Sequence, residues 1–279
     1  MLLGYNTNGF GFHRLDDVID ILAELGYRAL AFTPDVHHLH PFETSSQRLS
    51  RIKKRLDELG MACVIESGAR FILNPRKKHR PTLLDDDPAP RIDLLRRCMD
   101  FAERLGAKVV STWSGALPVE GDSAGFDRET HMRRLAKQLN ALIDEAESRG
   151  LTLAIEPEPG FFIEKMSDYD ELCSYAERAL PLTLDVGHLR CVEEEPEANY
   201  IRRYAKQLVN VQLDDMKRGV HRHIPFWEGE VDFPSVFAAL REINYEGLAC
   251  VELSESSRDA VEVARRSMEF LRPFVLESE

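Results

Sequence analysis

Short apolar runs alternate with longer amphipathic stretches along the whole chain. Eight runs rich in Leu, Val, Ile and Ala have the length and composition of strands that are buried on both faces. Polar side chains follow most of these runs directly. The predicted strands cover residues 2–5, 29–32, 62–65, 109–112, 151–155, 182–185, 208–213 and 248–251.

The stretches between the runs carry apolar residues three and four positions apart, which is the spacing of one face of a helix. Leu135, Leu139, Leu142 and Ile143 form such a stripe in the longest of them. Glycines at positions 26, 60, 106 and 150 stand where helices commonly end. The predicted helices include residues 15–25, 46–59, 91–105 and 127–149, and a last helix that runs to about residue 274.

Strands that alternate with helices pair in parallel through right-handed crossovers. Eight such units without a Gly- or Ser-rich linker predict one α/β domain over residues 1–279, a single (β/α)₈ TIM barrel. An open doubly wound sheet is the alternative, but no Gly-x-Gly-x-x-Gly turn follows the first strand. The polar segment at about residues 74–90 is too long for an ordinary connection, so we expect a lid over the barrel mouth rather than a disordered loop.

Composition and charge indicate the cell compartment and the classes of partner. The net charge of −12 disfavours a polyanionic partner such as nucleic acid. No apolar window is long enough to cross a membrane, and the first residues lack the basic and apolar regions of a signal peptide. The five cysteines are odd in number and lack Cys-x-x-Cys spacing, as in proteins with reduced thiols. We therefore expect a cytoplasmic protein without a nucleic-acid or membrane partner, and a homo-oligomer is left open.

Oxygen-bearing side chains follow or end four consecutive predicted strands. They are Glu156, Asp185, Gln212 and Glu252. In a barrel they would converge at the carboxyl ends of the strands, where buried carboxylates cost several kcal/mol each unless a cation neutralises them. We therefore predict one divalent metal ion, with Mn²⁺ or Mg²⁺ favoured by the oxygen donors and Zn²⁺ or Co²⁺ kept as alternatives by nearby histidines. A polar barrel rim without metal is the competing interpretation.

Several of these motifs resemble those of a known family. Ala-Ile-Glu-Pro at 154–157, Leu-Asp-Val-Gly-His at 184–188, Val-Gln-Leu-Asp-Asp at 211–215 and Val-Glu at 251–252 stand in the order found in the xylose-isomerase-like superfamily. Residues 223–233 are similar to the loop that follows its seventh strand. The resemblance covers nearly the whole chain and implies a TIM barrel. Members include sugar and sugar-phosphate isomerases and epimerases, dehydratases and apurinic endonucleases.

The resemblance implies that Glu156, Asp185, the residue at 212 and Glu252 are metal ligands. The family usually has His at the third position, and this chain has Gln212. The substitution either shifts the metal preference toward Mg²⁺ or Mn²⁺ or indicates a degraded site. Glu158 competes with Glu156 for the ligand role, and Glu156 is predicted because a proline and a glycine after it indicate that the strand has ended.

The resemblance further suggests that His188 and Arg218 bind substrate oxygens, although Arg218 could equally be a solvated loop charge. His223, together with His221, resembles the place where the endonuclease branch has extra zinc ligands, and we expect His223 to contact substrate. His37, in a cluster with two other histidines after the second strand, is a further candidate, against a solvated surface position.

Three other candidates come from the residues themselves. Glu66 and Arg70 follow the third strand and are suited to hold a hydroxyl and a carboxylate or phosphate respectively. Trp113 ends the fourth strand and offers an apolar wall to a sugar ring, or a core side chain.

These features together predict a divalent-metal-dependent isomerase or epimerase of a small sugar, ketose or keto-polyol. The reaction would pass through a metal-stabilised enediolate, with Glu156 and Glu252 as the acid and base pair. Dehydration of a keto-polyol could use the same site. An apurinic endonuclease-like metal phosphodiesterase and a catalytically inert barrel scaffold are the alternatives.

Overall fold

The computed structural model describes residues 1–116 and 127–276, and its centre is a closed barrel of eight parallel strands. All eight predicted strands are confirmed, with ends that differ by one residue at most. The barrel strands are β1 Leu2–Asn6, β2 Ala29–Phe32, β3 Ala62–Glu66, β4 Val109–Trp113, β5 Thr152–Glu156, β6 Leu182–Asp185, β7 Leu208–Leu213 and, after the hairpin described below, β10 Leu248–Val251.

Helices follow the strands and cover the outside of the barrel. They are α1 Leu15–Glu24, α2 Ser46–Leu59, α3 Ala89–Leu105, α4 Arg128–Ser148, α5 Met166–Ala176, α6 Val186–Val192, α7 Glu197–Arg203, α8 Phe233–Glu242 and α9 Ala260–Leu276, with a short 3₁₀ helix at Thr7–Phe10. The large apolar cluster takes its residues from both the strands and the helices, so the main core lies between the two layers.

The helix boundaries follow from local chemistry. In α2, the Ser45 side chain accepts a hydrogen bond from the Arg48 backbone N–H, and Gly60 ends the helix at φ 62°. Gly106 ends α3 in the same left-handed conformation. The glycine prediction was off by one position for α1 and α4. Leu25 and Arg149 are the caps there, and Gly26 and Gly150 follow them at φ 98° and 69°.

A two-stranded antiparallel hairpin, which the apolar pattern did not predict, follows β7. Its strands are β8 Asp215–Lys217 and β9 Val220–Ile224. The carboxylate of Asp215 fixes the returning chain by accepting hydrogen bonds from the backbone N–H groups of Gly229 and Val231, each at 2.9 Å. The hairpin thereby projects from the carboxyl end of β7, the end at which the candidate site residues stand.

No helix among the described residues is long and apolar enough to span a membrane.

Candidate active site

A cavity of about 380 Å³ opens at the carboxyl ends of the strands. Side chains from five strand ends or the residues next to them line it: Glu66, Trp113, Glu156, Gln212 and Glu252. The strand register accounts for this convergence. Asp185 at the end of β6 pairs with Gln212 on β7. Cys250 of β10 pairs with Gln212 and Val251 pairs with Leu213, so Glu252 stands two positions beyond the level of Gln212 in the neighbouring strand.

The carboxylates that face this cavity are held in place by different partners. Asn8, just after β1, donates a 2.7 Å hydrogen bond from Nδ2 to Oε1 of Glu252. Asp185 caps α6, because its Oδ1 accepts the backbone N–H of His188 at 2.9 Å. A capping role and a metal role are therefore compatible for Asp185, because one oxygen caps the helix and Oδ2 has no hydrogen-bond partner.

His188 stands between the acidic groups. Its Nδ1 lies 3.6 Å from Glu156 Oε1, and its Nε2 lies 4.0 Å from Asp185 Oδ2. The ligand atoms of these three residues lie within 4.8 Å of one another, a spacing that could hold a metal ion. The buried atoms at the site that lack a hydrogen-bond partner include Asp185 Oδ2, His188 Nε2 and Gln212 Oε1. Buried polar atoms without a partner cost free energy unless something binds them. All of these atoms can ligate a metal, so the residues fit a divalent cation.

Two more histidines come from the hairpin. His221 and His223 alternate on β9, and their rings lie 5.0 and 5.6 Å from the ring of His188. Glu158 also reaches this cluster, since one of its oxygens lies 3.8 Å from His188 Nε2 and the other 3.6 Å from His221 Nε2. The strand ends at Glu156, as predicted, yet Glu158 also lines the cavity because alternate residues of an extended chain face the same side.

His223 is paired with a buried carboxylate. Its Nδ1 lies 2.6 Å from Oδ2 of Asp214, a residue with no exposed surface. Asp214 packs directly against Gly187, where a Cβ atom would overlap the carboxylate oxygen Oδ1. A glycine at position 187 is therefore required by the close approach of Asp214.

Burial and mutual repulsion set the protonation of the carboxyl groups. Burial raises the pKa of Glu156 well above its ordinary value, and the carboxyls of Glu66 and Glu158 raise it further. Burial, followed by the charge of Glu252, raises the pKa of Glu66 to about 8. Burial would also raise the pKa of Asp185, but the neighbouring imidazoles outweigh this effect and hold that pKa below its ordinary value. Asp185 is thus the carboxyl group of this set that its surroundings hold in the ionised form.

The segment between β3 and α3 forms a basic and aromatic part of the cavity wall. Arg70, Lys78 and His79 line it, and the edge of the His79 ring meets Trp113 at a centroid distance of 4.9 Å. The segment between β3 and α3 is therefore at the carboxyl ends of the strands, as the lid prediction requires. Arg91, which is almost fully buried, holds this segment by donating hydrogen bonds to the backbone carbonyl oxygens of His79 and Pro81, each at 3.1 Å.

The structure brings most of the predicted site residues together, and leaves two apart. The cavity is lined by both catalytic candidates, Glu156 and Glu252, together with Glu66, Arg70, Trp113, Gln212 and His223. Asp185 and His188 stand directly beside Glu156.

His37 and Arg218 lie outside this lining. Arg218 is exposed in the turn of the hairpin, and His37 is exposed on the loop after β2. The prediction for Arg218 rested on the family resemblance, and the hairpin places this residue in its exposed turn.

Sequence reasoning missed three polar residues that contact the predicted ones. Asn8 holds Glu252, Asn210 holds Glu66, and Asp214 faces His223. Asn210 and Gln212 have the two-residue alternation that places both inside a barrel, so a signal for Asn210 was present. Asn8 lies in a short 3₁₀ turn without such a pattern.

Comparison with known proteins gives a consistent result. A family described as xylose isomerase-like TIM barrel matches residues 19–274. L-ribulose-5-phosphate 3-epimerase UlaE of Escherichia coli (strain K12) is 27% identical over 242 residues, which cover 80% of each chain.

Two solved structures show the same fold. A structure of L-ribulose 3-epimerase superimposes with a TM-score of 0.80 at 19% identity, and covers 99% of this chain and 95% of the other. The 3-keto-D-glucoside 4-epimerase YcjR from E. coli superimposes with a TM-score of 0.77 at 16% identity, covering 98% and 99%.

Proposed function

Because the chain belongs to the xylose isomerase-like TIM barrel family, we propose that it is a divalent-metal-dependent epimerase or isomerase of a small ketose or related keto-polyol. The observation that carries the proposal is the convergence of Glu156, Asp185 and Glu252 with an imidazole and an amide around one cavity. Several of the donor atoms there are buried without a partner. The curated homologue is a sugar-phosphate epimerase, which supports the same class of activity.

The names of the similar proteins share one chemical feature. A 3-epimerase of a ribulose and a 4-epimerase of a 3-keto-glucoside both invert a carbon that adjoins a carbonyl group. The hydrogen on such a carbon is acidic once the carbonyl is polarised. A bound divalent cation would supply that polarisation and would stabilise the negative charge that develops on the oxygen. Glu156, Asp185, Gln212 and Glu252, with imidazoles nearby, would hold it.

Inversion needs proton transfer on both faces of the reacting carbon. Glu156 and Glu252 come from β5 and β10, which β6 and β7 separate in the barrel, so they approach a substrate between them from different directions. One carboxylate removes the proton, and the other, in its protonated form, returns a proton to the opposite face. The hydrogen bond from Asn8 fixes the direction of the Glu252 carboxylate.

Neighbouring groups have supporting roles in this proposal. His188 and Glu158 bind the substrate hydroxyls that are nearest the substrate's carbonyl group. The ring of His188 is held by a 3.2 Å contact between its Nδ1 and the backbone carbonyl oxygen of Pro157. Trp113 forms the apolar wall, while Arg70 and Lys78 bind the far end of the substrate. Residues 74–90 act as a lid, with motion confined to the part beyond the Arg91 contacts.

The test is proton exchange with solvent. The protein is stripped with a chelator, reloaded separately with Mn²⁺, Mg²⁺, Co²⁺ or Zn²⁺, and incubated in D₂O with a panel of ketopentoses, ketohexoses and their phosphates. We expect deuterium at the carbon next to the carbonyl, detected by NMR, and formation of the epimer or isomer. Glu156→Gln and Glu252→Gln should each slow turnover by roughly 10²-fold or more.

Glu129→Gln, an exposed carboxylate on α4, is the matched control and should leave the rate unchanged. A protein that binds no divalent ion and exchanges no substrate proton would be an inert barrel, and the proposal would fail. Salt-sensitive binding and cleavage of abasic DNA, without ketose turnover, would instead support the phosphodiesterase alternative.

A further inference from the structure

We propose that His223, carried by the hairpin, supplies an imidazole ligand to the cation of this site in compensation for the imidazole that Gln212 does not provide. The inference rests on the proposed metal dependence and deepens it. It adds an imidazole from the hairpin to the ligands predicted from the sequence, because Gln212 offers only a neutral amide oxygen.

The position of Gln212 defines what the site lacks. Gln212 pairs with Asp185 in the barrel register, is buried, and leaves its Oε1 without a hydrogen-bond partner. It therefore stands at the metal-facing end of β7. An amide oxygen there is a weaker donor than an imidazole nitrogen for zinc-like metals, so a nitrogen ligand must come from another element if the site is to bind such ions tightly.

His223 lies at the right place for this role. The ligand atoms of Asp185, His223 and Glu252 lie within 4.8 Å of one another. Metal–ligand bonds of about 2.0–2.2 Å hold ligand atoms at most about 4.4 Å apart, so a small closure of the three residues suffices. Two of these residues are carboxylates already assigned to the cation, so the third completes a site with two oxygens and one nitrogen.

Asp214 selects the nitrogen that is available. Oδ2 of Asp214 faces Nδ1 of His223 at 2.6 Å, which leaves Nε2 as the free ligand atom. A carboxylate behind a ligating histidine fixes the ring orientation and the tautomer, and raises the basicity of the other nitrogen. Asp214 is itself fixed by its packing under Gly187, and Asp215 fixes the loop that returns from the hairpin. The two adjacent aspartates thus order the ligand and its loop.

A competing arrangement uses the same residue. His188, His221 and His223 also have ligand atoms within 4.8 Å of one another and could hold a second cation. Charge favours the first arrangement, because two carboxylates attract a divalent ion far more strongly than two neutral imidazoles do.

The experiment is pulsed EPR of the full-length protein loaded with one equivalent of Mn²⁺, combined with Mn²⁺ and Zn²⁺ titrations. We expect imidazole ¹⁴N modulation in the wild type, its loss in His223→Gln, and at least about tenfold weaker Zn²⁺ binding in that variant. Asp214→Asn should keep the ¹⁴N signal but weaken metal binding about 10- to 100-fold. In Gln212→His/His223→Gln the ¹⁴N signal should return, which shows that the loss is not a folding defect.

His40→Gln, on the loop after β2, is the matched control and should retain the wild-type signal. Retention of the ¹⁴N signal in His223→Gln, with its loss in His188→Gln instead, would overturn the inference. Binding of two equivalents, one of which is lost in His221→Gln, would overturn it in favour of the three-histidine arrangement. If the wild-type protein binds no Mn²⁺ at all, the proposed function itself fails. That result differs from the two outcomes that would overturn only the role of His223.

Discussion

Nδ2 of Asn210 on β7 donates a 2.8 Å hydrogen bond to Oε1 of Glu66 at the end of β3, across the interior of the barrel. The two strands are not neighbours, so this bond joins opposite walls beneath the cavity. Glu66 is 6% exposed and faces the charge of Glu252. Asn210 thus offers a neutral partner to a carboxyl group that burial disfavours as an anion.

The protonation of Glu66 predicts how stability depends on pH. Its pKa is raised from 4.5 to about 8 in the folded protein, so the folded state keeps a proton that the unfolded state releases at lower pH. Unfolding therefore releases this proton between about pH 5 and 8, and the free energy of unfolding of the metal-free protein should fall as pH rises through that window. The loss should be at least about 1 kcal/mol, since one pKa unit corresponds to about 1.4 kcal/mol.

Glu66→Gln should reduce this pH dependence by the share that Glu66 contributes, because an amide keeps a hydrogen bond to Asn210 and cannot ionise. Glu156, whose pKa is also raised, supplies a further share in both proteins. Urea unfolding of both proteins at pH 5, 6.5 and 8, with chelator present, measures the effect. If the two proteins show parallel profiles, Glu66 is not the group that titrates.

The basic wall predicts a preference for an anionic substrate. Arg70 lines the cavity together with Lys78 and also lies 3.5 Å from Asp35, which orients its guanidinium group. Arg70→Met should raise KM for a ketose phosphate about tenfold or more, since a hydrogen bond to a charged group contributes roughly 1.5–3 kcal/mol. KM for the unphosphorylated ketose should change little. Arg76→Met, an exposed position on the same segment and outside the cavity lining, is the control. Equal losses for both substrates would argue against a phosphate subsite.

Particular residues show what could be predicted from the sequence and what could not. The barrel was predictable because each strand is a short apolar run between amphipathic stretches, and its carboxylates were predictable because they stand at or just after strand ends. The hairpin was not, since β8 is only three residues long and β9 is largely polar and exposed, so neither strand carries an apolar run or a regular apolar alternation. His221 and His223 nevertheless carry the two-residue alternation of a strand, which places both on one face.

Residues that act through other residues were beyond the sequence pattern. Asp214 looked like one of two equivalent aspartates at a strand end, and only the fold shows that it faces His223 while Asp215 binds the loop backbone. Asn8 likewise meets Glu252 from the opposite end of the chain, 244 positions away. Such pairings depend on closure of the barrel, which joins β1 to β10.

The contact between Gly187 and Asp214 predicts a coupled pair of substitutions. A Cβ at position 187 would overlap Asp214 and also approach Met216 Cγ at 2.8 Å, in a region without free space. Gly187→Ala should therefore destabilise the protein by about 1–3 kcal/mol, as overpacking typically does. The double variant Gly187→Ala/Asp214→Ala should recover part of that stability, because it removes the overlapping side chain. Thermal unfolding of the four proteins gives the coupling, and strictly additive effects would show that the overlap is relieved elsewhere.

Gln212→His provides a direct test of how this chain selects its metal. Three carboxylates supply most of the attraction for a cation, and exchanging one neutral ligand for another leaves that charge unchanged. What changes is the softness of the ligand, so the affinity for Zn²⁺ should rise at least about tenfold while the affinity for Mg²⁺ stays nearly constant. Competition titrations with a chromophoric chelator measure both constants, and Glu252→Gln serves as the variant in which binding of either ion should be abolished. An unchanged Zn²⁺ affinity in Gln212→His would mean that residue 212 does not reach the cation. Gln212 would then not be a metal ligand.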